Sequence, residues 1–262
     1  MQATLSANRS AVQRAVIILA VVCQIGSSFL PALGFGEQIG DRSDSVRTMI
    51  TPSGWAFSIW GLLFLGSAVF AIWQALPAER SNALLDRIGW PAAIALGAQG
   101  IWAAYTGYNN LTAISAIIIF VSLIGLLAVL RTLVQHDEFA SKERWLVAPV
   151  FSALAAWLTA ASIVNVSATL KFYGFADGGT FPLVTAGMVA ISGVIAALAV
   201  VRSRGNPWYA AVFCWALTAI HFRGGQENEA IAWACIGSGI LVVLAAFLGL
   251  SKTRNRKHWL GF

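Results

Sequence analysis

The stretch WAFSIWGLLFLGSAVFAIWQAL, residues 55–76, runs for 22 residues without one charged side chain. A helix rises ~1.5 Å per residue, so about 20 apolar residues reach across a hydrocarbon core ~30 Å thick. In lipid every backbone N–H and C=O must find its partner within the segment, which makes such a run a helix and not a lone strand. Seven further runs share this character: residues 15–33, 88–108, 111–133, 145–170, 181–201, 208–222 and 231–250. None alternates apolar with polar residues in the manner of a barrel strand. With 58% hydrophobic and 11% charged residues over 262 positions, the chain has too little polar surface for a water-soluble domain. The expected fold class is all-α, a polytopic membrane helix bundle of about eight transmembrane helices.

Basic residues give an independent check on that count, because Lys and Arg collect on the cytoplasmic side of short loops. With the N-terminus inside, only Arg42, Arg47, Lys171 and Arg223 fall outside, and the other thirteen of the 17 basic residues fall inside. One helix more or fewer would scramble that split. Both termini are therefore expected in the cytoplasm, and the net charge of +6 follows from topology. The basic residues are spread over five segments and form no single stripe, so no nucleic-acid partner is expected. The cluster from Lys252 to Lys257 is placed to meet anionic headgroups, which makes the lipid bilayer the first partner. Arg9 and Arg14 before the first run also suit a secretory signal peptide, but the apolar stretch is long for one.

Prolines fit the segmentation, since Pro is tolerated in the first turn of a helix and at its ends. Pro91, Pro149, Pro182 and Pro207 sit at expected starts, Pro77 at a stop, and Pro31 bends or ends the first helix. The longest connection, 34–54, carries Glu37, Asp41, Arg42, Asp44, Arg47 and Pro52. A connection of that length suits a lid over the mouth of the bundle, and its composition equally suits a solvated loop. Cys23, Cys214 and Cys235 have no paired spacing, so neither a disulfide framework nor a metal site is indicated. No spacing matches a nucleophile elbow, a phosphate loop or a zinc site, and no catalytic residue is assigned.

Among 11 tryptophans, Trp55, Trp90, Trp145, Trp208, Trp233 and Trp259 lie at or near run ends, as interfacial belt residues do. Trp60, Trp102, Trp157 and Trp215 lie deeper, where an indole N–H wants an acceptor or a cavity. The 3.6-residue period puts Phe57, Trp60, Gly61 and Phe64 on one face of the second helix. Gln99, Trp102, Thr106 and Asn109 share a face of the third; Trp157, Ala161 and Asn165 share one of the fifth, with Ser162 beside it. Polar side chains at membrane depth either join helices or line a cavity. On the second alternative, Phe57, Trp60, Phe64, Gln99, Trp102, Thr106, Trp157, Ala161 and Asn165 form an aromatic pocket for a flat apolar ligand.

At these residues the chain resembles a known family. TPSGWAFSIWGLLF, residues 51–64, resembles the second-helix signature of the TspO/MBR family, the translocator proteins and tryptophan-rich sensory proteins. There a Pro-rich loop end leads into an aromatic and then W-x-x-x-aromatic. Gln99-Gly-Ile-Trp102 stands where the family has N-x-x-W, and WLTAASIVN at 157–165 is similar to its W-x7-N. The match covers about residues 10–172. The family's W-x-P-P is reduced here to Pro52, the aromatic Phe57 precedes Trp60 by three residues instead of four, and the C-terminal Leu/Val-Tyr-Lys/Arg cholesterol pattern is absent. The resemblance implies an extended member of bacterial type, in the inner membrane. It implies a porphyrin, another tetrapyrrole or a lipid-like molecule as ligand, with no required cofactor and a homodimer as a candidate assembly.

The expected organisation is a five-helix unit, 1–177, followed by a three-helix extension with a basic cytoplasmic tail, 178–262. In the extension, residues 221–229 suit a polar hairpin with Arg223 paired to Glu227 or Glu229; an ion-binding or proton-handling turn is the alternative. His136 and His258 fall in charged segments and are expected to be solvated. The functional expectation is a ligand-binding membrane protein that senses or moves a flat apolar molecule. A secondary transporter would more often show an internal repeat, and a membrane enzyme a cluster of intramembrane His, Asp or Glu; the sequence shows neither.

Overall fold

Eight long helices form where the apolar runs fall: α1 (Ala11–Phe29), α3 (Ile59–Ala75), α4 (Ala83–Asn109), α5 (Ala113–Gln135), α7 (Ala148–Phe172), α8 (Pro182–Arg202), α9 (Pro207–His221) and α11 (Glu229–Leu250). Short helices α2 (Ile39–Ser45), α6 (Ser141–Leu146), α10 (Gly224–Glu227) and α12 (Thr253–Leu260) fill the connections. The computed structural model describes residues 9–175 and 181–262, and every regular element within them is helical. The division expected at residue 177 lies outside the described residues.

Local chemistry sets the helix starts. The Ser10 hydroxyl accepts from the amides of Val12 and Gln13, Asn82 from that of Leu85, and Asn206 from those of Trp208 and Tyr209. Pro149, Pro182 and Pro207 occupy first turns, as expected. Pro91 does not. The Asn82 cap and the buried Leu84 and Leu85 start α4 at Ala83, so Pro91 lies inside an established helix.

Six segments are long and apolar enough to cross a membrane: Ala11–Leu33, Gly54–Ala75, Ala113–Gln135, Ser141–Phe172, Pro182–Arg202 and Glu229–Leu250. The chain is an integral membrane protein. Among the described residues only these six meet that measure; of the other two long helices, α4 runs from one end of the bundle to the other, whereas α9, 15 residues or about 22 Å, is shorter than a full span. α4 begins beside Glu143, which accepts from Asn82, and ends beside the first loop, where Glu37 N donates to Gly107 O. α9, only 15 residues long, begins at Asn206 and ends where Ser53 N donates to Ala219 O.

The bundle thus has two polar ends. The loop face carries α2, the α4–α5 turn and α10; the tail face carries the start of α1, the α3–α4 and α5–α6 connections and α12. α7 is central, touching α3, α5, α8 and α9. Burial takes in 67% of its most apolar stretch, against 22% for peripheral α1. Small residues let helices close in: a Cβ at Gly100 would stand 2.5 Å from the backbone of Cys23 on α1.

At the tail face α12 folds back onto the bundle, which corrects two expectations. Trp259 is no belt residue; it is fully buried and donates from Nε1 to Ser203 O at 2.9 Å. His258 is buried against Phe139, with Nδ1 facing Arg204, while His136 lies between Arg87 and Glu143. An aromatic pair anchors the tail helix, and the histidines are drawn in with it. Lys252, Arg254 and Lys257 remain exposed.

Candidate functional site

Beneath the first loop lies a cavity of about 440 Å³, walled by α1, α2, α3 and α4. Phe57, in the turn that leads into α3, and Trp60, Gly61 and Phe64 of α3 line it together, the residues that the helical period groups on one face. α4 adds Gln99, Trp102 and Ala103. Two smaller apolar spaces adjoin it through shared walls. One, of about 30 Å³, lies among Phe57, Trp60, Gln99, Trp102, Trp157 and Ala161. The other, of about 50 Å³, sits among Phe57, Trp102, Trp157, Ala161 and Asn165, with Ile39 and Ser43 of α2 above it and Ala216 and Ile220 of α9 behind.

Eight of the nine residues singled out from the sequence therefore border three neighbouring spaces with shared walls. The aromatic ones interlock. Trp60 stacks on Phe64 at 5.2 Å between ring centres, and the Trp157 ring meets Trp60 at 6.1 Å and Phe57 at 6.3 Å, both nearly edge-on. Such contacts add about 0.5–1.5 kcal/mol each beyond burial and fix the ring orientations. The ninth residue, Thr106, is fully buried in α4 and borders none of these spaces. Asn109, on the same stripe, is exposed at the loop face, where its amide donates to Tyr105 O.

Hydrogen bonding in the site is incomplete. Gln24 Nε2 donates to Gln99 Oε1 at 2.8 Å, and Gln99 Nε2 donates to Ala95 O, which fixes both amide orientations. That leaves Gln24 Oε1 as a buried acceptor and Trp102 Nε1 as a buried donor, neither with a partner among the described residues, and both residues line the large cavity. In the smaller space, Asn165 Oδ1 accepts from Ser115 at 3.0 Å while its Nδ2 is likewise unpartnered. Buried polar atoms in this state cost about 1–3 kcal/mol each, so a bound molecule that satisfies them gains by it.

The sequence reasoning missed the α1 wall, Gln24, Ser27 and Ser28, which border the large cavity. Their signal was present: an amide and two hydroxyls at spacings of three and four in an apolar run, the pattern that singled out α4. A lid was one of the two expectations for the first loop, but none of its residues was assigned to the site. Ile39 and Gly40 of α2 close the large cavity, and α2 is held to α4 by Arg42, whose Nη2 and Nε donate to Gly107 O at 2.9 and 3.2 Å. The first loop is folded: it carries α2, and Val46, Thr48, Ile50 and Thr51 are buried.

Comparison with known families now decides the lineage. The model of the family described as TSPO-like protein matches residues 10–248. The chain belongs to the TSPO-like family. The match starts one residue before α1 and runs into the last turn of α11, so it takes in seven of the eight long helices of this TSPO-like chain whole and all but the last two residues of the eighth. No curated protein and no solved structure matches the chain.

One further expectation changes. Arg223 of this TSPO-like chain pairs with neither Glu227 nor Glu229: Nη2 donates to Asp44 Oδ1 at 2.6 Å and Nη1 to Pro52 O at 3.1 Å. Glu227 instead meets Arg47. The α9–α10 turn is thus joined to the first loop by two ion pairs.

Proposed function

We propose that this TSPO-like chain binds a flat, largely apolar molecule in the cavity beneath α2, in order to sense or move it. The reading rests on one observation: a cavity of about 440 Å³ with aromatic walls that holds a buried donor, Trp102 Nε1, and a buried acceptor, Gln24 Oε1, neither with a partner among the described residues. Its volume falls in the range of roughly 300–1,000 Å³ typical of small-molecule sites, and its chemistry is typical too: apolar walls with a few polar groups fixing orientation. A planar ring system stacks on the indoles, and a ring N–H with a nearby carbonyl or carboxylate answers the two polar atoms. A tetrapyrrole has that character, as does a lipid-like molecule with a polar end. The uneven distribution of basic residues supports placing both termini in the cytoplasm, so that the cavity opens toward the other side.

Titrating the full chain with protoporphyrin IX while following tryptophan fluorescence tests the reading. Gly61 lines the cavity, and a Cβ there would meet nothing within 4 Å, so Gly61→Leu fills the space without disturbing the packing. Saturable quenching in the wild type, with about tenfold weaker binding in Gly61→Leu, is expected. Absence of saturable quenching, or equal affinity in the two proteins, would overturn it.

A further inference from the structure

α2 roofs both the large cavity, through Ile39 and Gly40, and the smaller one, through Ile39 and Ser43. Its two sides are held in different ways. Toward α4 the bonds run largely to one main-chain carbonyl: Arg42 and the amide of Glu37 all donate to Gly107 O, and Asn110 Nδ2 adds a bond to Ser45 Oγ. Toward α9 and α10 the α2 end is held by ion pairs, Arg223 with Asp44 and Arg47 with Glu227. Asp44 is 55% exposed and Glu227 43%, so these pairs are open to solvent and to screening by salt.

Arg223 does more than pair with Asp44. Its second nitrogen holds Pro52 O, so one guanidinium pins two points of the loop, the end of α2 and the backbone that leads to Phe57. The segment beyond Pro52 is fixed separately to α9: Ser53 N and Oγ both donate to Ala219 O, and Trp215 Nε1 donates to Ala56 O while its ring meets Trp55 edge-on. On the α4 side the Arg42 guanidinium and the Glu37 amide thus share one main-chain acceptor, and the segment leading into α3 is bonded to α9. Between them buried Val46, Thr48, Ile50 and Thr51 seat the span, Ser167 Oγ donates to Thr48 Oγ1, and the two solvent-exposed ion pairs tie down the end of α2. The arrangement is that of a hinge and a latch.

We infer that Arg223 is a positioning residue that latches α2 over the cavity, so that the α9–α10 turn sets how fast the cavity exchanges its occupant. The inference uses the proposed ligand site, but the latch has a readout of its own. Backbone amide exchange over residues 39–52 is measured in the full chain in lipid nanodiscs for the wild type, Arg223→Gln, Asp44→Asn and the charge swap Asp44→Arg with Arg223→Asp.

Loss of an exposed pair is expected to speed exchange of that segment by about two- to fivefold, with α4 and α7 unchanged. The swap restores protection, and 0.5 M NaCl speeds exchange in the wild type more than in Arg223→Gln. Protoporphyrin IX should then associate and dissociate faster in both single variants, with its Kd within about twofold of wild type. Unchanged exchange over 39–52 in Asp44→Asn, whose altered side chain is exposed enough to leave the fold intact, overturns the latch. If that segment loosens while protoporphyrin rates stay fixed, α2 is not the cover. If it loosens and no variant binds protoporphyrin, the latch stands and the ligand assignment falls.

Discussion

Asn165→Leu separates a wall residue from one that merely joins helices. Asn165 is 2% exposed, and its single partnered atom, Oδ1, accepts from Ser115 Oγ on α5. When the carboxamide is removed, Ser115 keeps its other bond, to Thr112 O at 2.7 Å, so no orphaned donor is created. Interhelical hydrogen bonds in membrane proteins average about 0.6 kcal/mol and reach about 1.7. Nδ2 has no partner among the described residues, so its loss offsets part of that. The net change should stay within about 1 kcal/mol, or about 2–4 °C in Tm for a chain of this size. A ligand that accepts from Nδ2 loses one hydrogen bond, about 1 kcal/mol or fivefold in Kd. Protoporphyrin titration and a thermal melt on the same preparation read both quantities. Ser115→Ala breaks the α5–α7 bond but leaves the amide facing the space, and it should leave Kd unchanged. If Asn165→Leu lowers Tm by well over 4 °C and leaves Kd untouched, Asn165 only joins helices and the reasoning is refuted.

Three further outcomes follow. Reporter fusions after residue 137 and at the C-terminus should report cytoplasm, and a fusion after residue 40 the opposite side; a C-terminus found outside would overturn the orientation. Trp259 is fully buried beneath α12, so Trp259→Ala should weaken tail docking by about 3 kcal/mol and open Lys252 to Lys257 to trypsin; unchanged cleavage would show that the indole anchors nothing. Burial first, and then the charges of Arg204 and His136, push the His258 pKa down from 6.5 to about 4. Because the folded value lies below the unfolded one, docking is fully supported above about 6.5 and weakens as pH falls toward 4. Exchange over α12, corrected for intrinsic rate, should rise between pH 7.5 and 5 in the wild type and stay flat in His258→Gln.

Much of the bundle was legible because the signals were local. A run of apolar residues must become a helix in lipid whatever surrounds it, and the 3.6-residue period then fixes which side chains share a face. That placed Phe57, Trp60 and Phe64 together before any neighbour was known. Where the period alone was used to choose between joining helices and lining a cavity, the alternatives proved not to be exclusive. Gln99 accepts from Gln24 across the α1–α4 contact and borders the cavity; Asn165 does the same across α5 and α7. An amide has more hydrogen-bonding groups than one helix contact uses, so the remainder is available to whatever fills the space beside it. Thr106 shows the opposite limit, since one place on a polar stripe can face a neighbouring helix while the next faces the void.

What could not be read was pairing between segments distant in sequence. Arg223 has acids four and six positions ahead of it, and a continuous helix would bring Glu227 within reach. Gly224 and Gly225 follow instead, α9 has already ended at His221, and Arg223 adopts φ −122° and ψ −83°, outside the helical region. The same glycines allow close approach, for a Cβ at Gly224 would run into the carbonyl of Met49. The turn is therefore seated against the first loop, and the nearest carboxylate for Arg223 becomes that of Asp44, 179 positions away. Charge along a loop tells that an ion pair will form; which partner is chosen depends on where the backbone breaks. Here the break assigns both arginines of the latch, Arg47 and Arg223, to acids on the opposite segment, and so couples the late helices to the cover of a cavity built mainly from the early ones.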